Sequence, residues 1–173
     1  MLKPFHFRAN PRAIEILQAA RMNCATLANN HVLDYGPEAL LDCLTFLDQA
    51  NIQQTGAGAH RDKALAPAFL ECPHGRIAVI ALTDNEPEWE ATPSQPGVNY
   101  VGYDTRGLLS PYRELIAGLI RHARQNASFI IISAHNRGKP GRTVSGYAPI
   151  SLPTLRFWWR SLLGTFQSHS TGY

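Results

Sequence analysis

The sequence predicts an α/β protein in which helices cover buried strands. Segments with apolar residues at helical spacing alternate along the chain with short apolar runs of strand length. Apolar residues make up 45% of the 173 residues and charged residues 17%, which suits one domain with a packed core and excludes a disordered chain. The 13 glycines and 12 prolines supply turns between these segments.

The first helix and strand follow from local signals near the N-terminus. Asn10 as N-cap and Pro11 at the first helical position predict a helix that continues to about residue 21. The short apolar run of residues 24–27 predicts a buried strand. The polar residues 28–36 then predict a loop at the carboxyl end of that strand.

The second helix begins at Pro37 and is followed by another strand. Ile52 begins that short strand, and the glycine-rich residues 55–58 predict a turn. The inner face of the helix carries four leucines at helical spacing: Leu40, Leu41, Leu44 and Leu47.

The middle of the chain predicts a β-hairpin and a long ordered loop. Residues 68–72 and 76–82 have strand composition and flank a Pro-His-Gly turn at residues 73–75. Residues 84–97 contain three prolines and Trp89, which we expect to serve as a lid or a core aromatic.

A third helix and the most apolar strand complete the pattern. The helix begins at Ser110-Pro111, and residues 129–133 predict a buried strand with His135 at its carboxyl end. The apolar face of the helix carries Leu115, Ile116, Leu119, Ile120 and Ala123.

Composition narrows the classes of function. The net charge is only +3 and the arginines are scattered, so we expect no nucleic-acid partner. The longest uncharged apolar run, residues 127–134, is too short to span a bilayer, and the first residues lack a signal peptide, which predicts a cytoplasmic chain as encoded. The three cysteines are odd in number and match no metal motif, which predicts buried free thiols.

Polar side chains with catalytic potential follow two of the predicted strands. Asn29, Asn30, His31 and Asp34 lie beyond the first strand, and His135 ends the last one. Ligands of α/β sheets bind at the carboxyl ends of strands, where an amide oxygen can hold a hard cation and a histidine can act on a leaving group. Residue pattern alone leaves a structural alternative open, in which Asn30 makes a turn, Asp34 caps the second helix and His31 packs.

Four sequence blocks resemble the CapA family of bacterial capsule and poly-γ-glutamate synthesis proteins. The most specific is LANNHVLDYG at residues 27–36, followed by Gly-Ala-Gly at 56–58. The others are FHFRANP at residues 5–11, TDNEPEWEA at 83–91 and IIISAH at 130–135. The resemblance covers about residues 4–135.

The resemblance implies a calcineurin-like metallophosphoesterase fold, a four-layer αββα sandwich. In that fold two divalent metal ions of the Mn, Fe or Zn type polarise a phosphoryl group and activate water. The resemblance implies that Asn30 and His135 are metal ligands and that His31 is the catalytic histidine. Asn29 and Asp34 are then structural or support the ligands. The partners implied are the polyglutamate and capsule synthesis machinery, and intact family members act at the cell envelope.

Two family motifs that supply further metal ligands have no counterpart in this sequence. One is a Gly-Asp strand end that would precede residue 1, and the other is a later Gly-His-x-His motif. We therefore expect an incomplete fold, without its first strands and its C-terminal part, and weak or absent metal binding. A non-catalytic capsule-assembly protein or an inactive gene remnant is the alternative function.

The character of the sequence changes after His135. Residues 136–153 are rich in Gly, Pro, Arg and Ser and have no sustained periodicity, and the Trp-Gly that follows this histidine in the family is absent. We therefore divide the chain into a CapA-like domain at residues 1–135 and an atypical tail at 136–173. The hypothesis is that this tail is disordered or arises from a shift of reading frame near codon 136.

Overall fold

The computed structural model describes residues 5–105 and 107–136, and these form an α/β fold as predicted. Apart from Asn136, the predicted tail at residues 136–173 lies outside the described residues. The helices are α1 (Ala13–Ala19), α2 (Gly36–Gln49), α3 (Arg61–Leu65) and α4 (Tyr112–Asn126). The strands are β1 (Cys24–Thr26), β2 (Gln53–Thr55), β3 (Ala57–Gly58), β4 (Ala68–Cys72), β5 (Gly75–Thr83), β6 (Gly97–Val98), β7 (Tyr103–Asp104), β8 (Gly107–Leu108) and β9 (Phe129–His135).

Strand β5 is the centre of the largest sheet in the described part of the chain. It pairs antiparallel with β4, as the Pro-His-Gly turn predicts, and parallel with β9. Every residue from Ala78 to Thr83 is buried, so β5 is covered on both faces. One face packs with Ile116, Ile120 and Ala123 of α4 in a common hydrophobic cluster.

Strand β9 is less buried than its composition predicts. Phe129 is 53% exposed and Ile131 is 51% exposed, whereas Ile130 packs against the cluster that α4 forms with β5. The reason is that β9 lies at the edge of the described sheet, where α4 covers one face only. The prediction of a strand is therefore confirmed, and the prediction that it is buried is wrong.

Helix α2 connects two parallel strands, β1 and β2, and packs on them. Leu40, Leu44 and Leu47 are buried in a second hydrophobic cluster with Ile52. Leu41 is exposed, so its predicted inward position is wrong, since it lies to one side of the apolar stripe. Strand β1 is half-buried at Cys24 and Ala25 and exposed at Thr26, so the prediction that this strand is buried is wrong.

Helix α1 begins later than the sequence predicts. The backbone N–H of Ala13 donates to the carbonyl of Asn10, and the Asn10 side chain accepts from the N–H of Arg12, so residues 10–12 form a turn. Asn10 therefore fixes the turn that leads into the helix instead of capping it. Ile14 and Leu17 pack against the same cluster as α2, as their spacing predicts.

The predicted turn at residues 55–58 is instead a short strand, and a short helix after it was missed. Ala57 and Gly58 pair antiparallel with Val98 and Gly97, and helix α3 follows. A Cβ on Gly58 would clash with the Ala64 amide nitrogen and lie 2.6 Å from the carbonyl carbon of Lys63. The glycine is thus required because α3 packs directly on this strand.

The long loop predicted at residues 84–97 makes contacts with both α2 and α4. It contains a 3₁₀ turn, Pro87–Trp89, and Trp89 packs against the α2 cluster, which confirms the core alternative for this side chain. Further along, Tyr112 of α4 donates a hydrogen bond to Glu90. Burial and this bond raise the pKa of Tyr112 to about 12.

The three cysteines are free thiols, as predicted, but they are half-buried and not fully buried. Burial raises the pKa of the Cys24 and Cys43 thiols. None of the helices in the described ranges is long and apolar enough to cross a membrane.

Replacing Gly58 by alanine should destabilise the protein by about 1–3 kcal/mol, since the added methyl group meets backbone that cannot move independently. The matched control is Gly118→Ala on α4, where the nearest atom to the new Cβ is Arg121 Nη2 at 3.8 Å. That change should stabilise the protein by up to about 1 kcal/mol. Urea denaturation measures both, and equal stability of the two variants would contradict the packing of α3 on β3.

The difference in burial between β5 and β9 predicts different costs of truncation. Ile80→Ala should lower the free energy of unfolding by about 2–5 kcal/mol, because Ile80 is fully buried. Ile131→Ala should lower it by about 1 kcal/mol or less, because half of that side chain is already exposed. Thermal or urea unfolding of the two variants checks this, and a large loss at Ile131 would show that β9 is covered in solution.

Candidate functional site

The carboxyl ends of β1 and β9 lie around one open cleft. The cleft has a volume of about 410 Å³. Strand β1 runs parallel to β2, and β9 runs parallel to β5. The carboxyl end of each strand therefore lies at the same edge of its sheet as the carboxyl end of its partner. Its lining residues come from the N-terminal segment, the β1 end and the β9 end: Phe7, Thr26, Ala28, Asn29, His31, Ser133, Ala134 and His135.

Asn30 and His135 come into direct contact although they are 105 residues apart in the sequence. The distance between Asn30 Oδ1 and His135 Nε2 is 3.0 Å. An amide oxygen only accepts, so the Nε2–H of His135 is the donor. The structure therefore brings together the two residues that were predicted as metal ligands.

His31 is held by the carboxylate of Asp34. Its Nδ1 lies 2.8 Å from Asp34 Oδ2, and the backbone N–H of Phe7 donates to the same oxygen. The Asp34 side chain is only 1% exposed, whereas His31 faces the cleft. The N-cap position of α2 is occupied by Tyr35, and Asp34 lies one residue before it. The Phe7 ring packs edge-on against His31, with 4.5 Å between centroids.

Local backbone geometry orients the two neighbours Asn30 and His31. The Asn29 side chain accepts a hydrogen bond from the N–H of His31, which closes a tight turn at the end of β1. Gly56 lies beside this turn with φ +91°, and a Cβ there would come within 2.7 Å of the Ala28 side chain. Only glycine allows β2 to approach the turn this closely.

Two polar residues near His135 were missed by the sequence analysis. Thr83 Oγ1 donates to the carbonyl oxygen of His135 at 2.9 Å, and Asn85 Nδ2 donates to the same oxygen at 3.1 Å. Their signal in the sequence is a Thr-Asp-Asn run directly after a buried strand, which reads equally well as a turn. Nearby, burial and the charges of Asp84, Glu90 and Glu88 raise the pKa of Tyr100.

The Asn30–His135 pair suits a divalent cation, although it is a small ligand set. Two ligands at right angles around one ion, with bonds of about 2.1 Å, lie about 3 Å apart, which agrees with the observed separation. Within the described ranges, no three His, Cys, Asp or Glu side chains are grouped as metal ligands. The described residues thus offer one amide oxygen and one imidazole nitrogen that could share an ion.

Comparison with known proteins places the chain in a family. A family model described as bacterial capsule synthesis protein PGA_cap matches residues 1–148. A probable polyglutamine synthesis accessory protein of Mycobacterium tuberculosis is 37% identical over 101 residues, which is 56% of this chain and 27% of that protein.

Two relatives from bacilli carry the CapA name. The PGA biosynthesis protein CapA of Bacillus subtilis is 24% identical over 134 residues, which is 77% of this chain and 33% of that protein. The capsule biosynthesis protein CapA of Bacillus anthracis is 27% identical over 96 residues, which is 55% of this chain and 23% of that protein. The matched part is thus a third or less of the length of these curated relatives. The resemblance to the CapA family is confirmed, and the chain belongs to the PGA_cap family of bacterial capsule synthesis proteins.

Proposed function

We propose that this chain carries a metal-dependent phosphoesterase-type site that serves capsule or poly-γ-glutamate synthesis. The observation that supports it most is the 3.0 Å contact between Asn30 and His135, a residue that lines the cleft. An amide and an imidazole from distant parts of the chain meet at strand ends, where α/β proteins bind their ligands. The relatives' printed names support the biological process.

In this proposal Asn30 Oδ1 and His135 Nε2 are the protein's ligands to a divalent cation. His135 Nε2 would have to give up its proton, to solvent or to Nδ1, for the cation to bind there. When bound, such an ion polarises a phosphoryl oxygen and lowers the pKa of a coordinated water. The role of the chain is to hold the two ligand atoms, Asn30 Oδ1 and His135 Nε2, next to each other beside the cleft. The turn at Asn29 and the pairing of β9 with β5 fix the two donors from opposite sides.

His31 is the catalytic histidine in this proposal. Because Asp34 accepts the Nδ1 proton, the Nε2 of His31 is left for the cleft. From there it would stabilise developing charge or protonate the leaving oxygen of a phosphate ester. Phe7 limits the access of water to one side of the ring, since it packs edge-on against His31.

We further propose that the chain is part of a four-layer αββα sandwich of the calcineurin-like type, with two metal ions in the intact fold. Two-metal sites need bridging carboxylates and several imidazoles, whereas the described residues contribute one amide and one imidazole. Metal binding by this chain alone should therefore be weak. The partners would be the polyglutamate and capsule synthesis machinery.

A non-catalytic role in capsule assembly, or an inactive remnant, is the second candidate. It is favoured by one observation: within the described residues, no three His, Cys, Asp or Glu side chains converge. The two candidates differ in whether the purified chain binds a divalent cation and hydrolyses a phosphate ester.

Mn²⁺ binding and hydrolysis of bis(p-nitrophenyl) phosphate test the proposal directly. Asn30→Ala and His135→Ala should each weaken Mn²⁺ binding at least about 10-fold, because each removes one of two ligands. His31→Ala should retain Mn²⁺ binding and lose about 100-fold or more in kcat, because general acid catalysis contributes about that much. Calorimetry and steady-state kinetics give the two quantities separately.

His74→Ala is the matched control for these histidine variants. His74 lies in the turn between β4 and β5, at the opposite end of β5 from the cleft, about 25–30 Å away for a strand of this length. It should behave as the wild type in both assays. Absence of Mn²⁺ binding and of turnover in the wild type would overturn the phosphoesterase proposal and leave the assembly role.

A further inference from the structure

We propose that Thr83 and Asn85 are positioning residues that hold His135 toward Asn30 by clamping the backbone carbonyl of His135. The proposal rests on the proposed function only where it concerns metal affinity. The orientation of His135 in the metal-free protein is a separate property.

The clamp consists of two donors on one acceptor. Thr83 Oγ1 and Asn85 Nδ2 reach the carbonyl oxygen of His135 at 2.9 and 3.1 Å. The two donors are also linked to each other, since the N–H of Asn85 donates to Thr83 Oγ1 at 3.1 Å. A carbonyl with both lone pairs engaged is fixed in direction as well as in position.

Both clamp residues are buried although they are polar. Thr83 is 0% exposed and Asn85 is 4% exposed. A buried hydroxyl or amide is tolerated only when its hydrogen bonds are made, so these two side chains are committed to their partners. A network of this kind is sensitive to the loss of a single member.

The clamp is anchored on the side away from β9. The N–H of Thr83 donates to the carbonyl of Asn99 at 3.0 Å, and the N–H of Val101 donates to the carbonyl of Thr83 at 2.9 Å. Glu86 then adopts φ +51°, a left-handed conformation that turns the chain sharply after Asn85.

His135 needs such a clamp because of where it lies. It is the last residue of β9, at the edge of the described sheet, and its side chain is exposed. An exposed strand end held by one ladder alone frays. The two extra bonds from the β5 side keep the backbone of His135 fixed, so that its Nε2 stays within 3.0 Å of Asn30 Oδ1.

The first experiment observes the His135 ring in the metal-free, full-length protein. Ring ¹⁵N–¹H correlation spectra at pH 8 report the tautomer of each histidine, and His135→Gln identifies the signal. The wild type should show the Nε2–H tautomer, because Asn30 Oδ1 only accepts. Thr83→Val and Asn85→Ala should each shift this signal toward the averaged tautomers of a free histidine, and Thr83→Ser should restore it.

The second experiment measures Mn²⁺ affinity by electron paramagnetic resonance. Thr83→Val and Asn85→Ala should raise the Kd about 10–100-fold, as loss of groups that orient a metal ligand commonly does. Thr83→Ser should stay within about 3-fold of the wild type, since it keeps the hydroxyl.

Thr55→Val is the matched control. Thr55 is equally buried, and its hydroxyl also donates to a carbonyl, that of Ala66, but it does not touch His135. It should lose comparable stability while the His135 signal and the Kd stay unchanged. Circular dichroism checks folding, and if Thr83→Val does not fold, Asn85→Ala decides.

An unchanged His135 signal in the folded clamp variants would overturn the proposal, as would an equal shift in Thr55→Val. If the wild type binds no Mn²⁺, the proposed function fails, and the ring spectra alone decide the positioning role.

Discussion

The parallel pairing of β5 with β9 is the interaction on which both the fold and the cleft depend. It runs without a break from Ile77 with Phe129 to Thr83 with His135. Strand β5 is buried on both faces. Its pairing therefore fixes the position of β9, although β9 lies at the edge of the described sheet. The register brings His135 opposite Thr83, the last residue of β5. A shift of one residue would turn the His135 side chain to the other face of the sheet and away from Asn30.

Much of the fold is predictable because it follows from local signals. The turn residues at 73–75 specify the hairpin of β4 and β5, and the leucine spacing after Pro37 specifies α2. The features of the fold that could not be predicted depend on contacts with residues distant in sequence. Phe129 and Ile131 have the composition of a buried strand, but their exposure is set by which elements cover β9. The pairing of β3 with β6 joins segments 40 residues apart, so Gly-Ala-Gly reads locally as a turn.

The site was predictable to a similar degree. The placement of Asn30 and His135 after strands was enough to expect a common location, because strand ends of α/β sheets meet at one edge. The role of Asp34 was open, since an acidic residue two positions before a helix is equally suited to a cap. In the structure the Asp34 carboxylate contacts His31 Nδ1. The contacts of Thr83 and Asn85 with His135 could not be predicted, because both side chains donate to a backbone carbonyl. A motif of side chains in the sequence does not indicate such a bond.

The turn after β1 explains how two adjacent residues acquire different partners. Asn29 fixes the backbone at His31 through its side chain, so the side chains of Asn30 and His31 leave the turn in defined directions. Asn30 meets the end of β9, and His31 meets Asp34 within its own loop. The His31–Asp34 pair is therefore complete within a few residues, whereas the Asn30–His135 pair exists only once both sheets have formed. A change that disrupts β5 should therefore remove the contact between Asn30 and His135 and leave the contact between His31 and Asp34 intact.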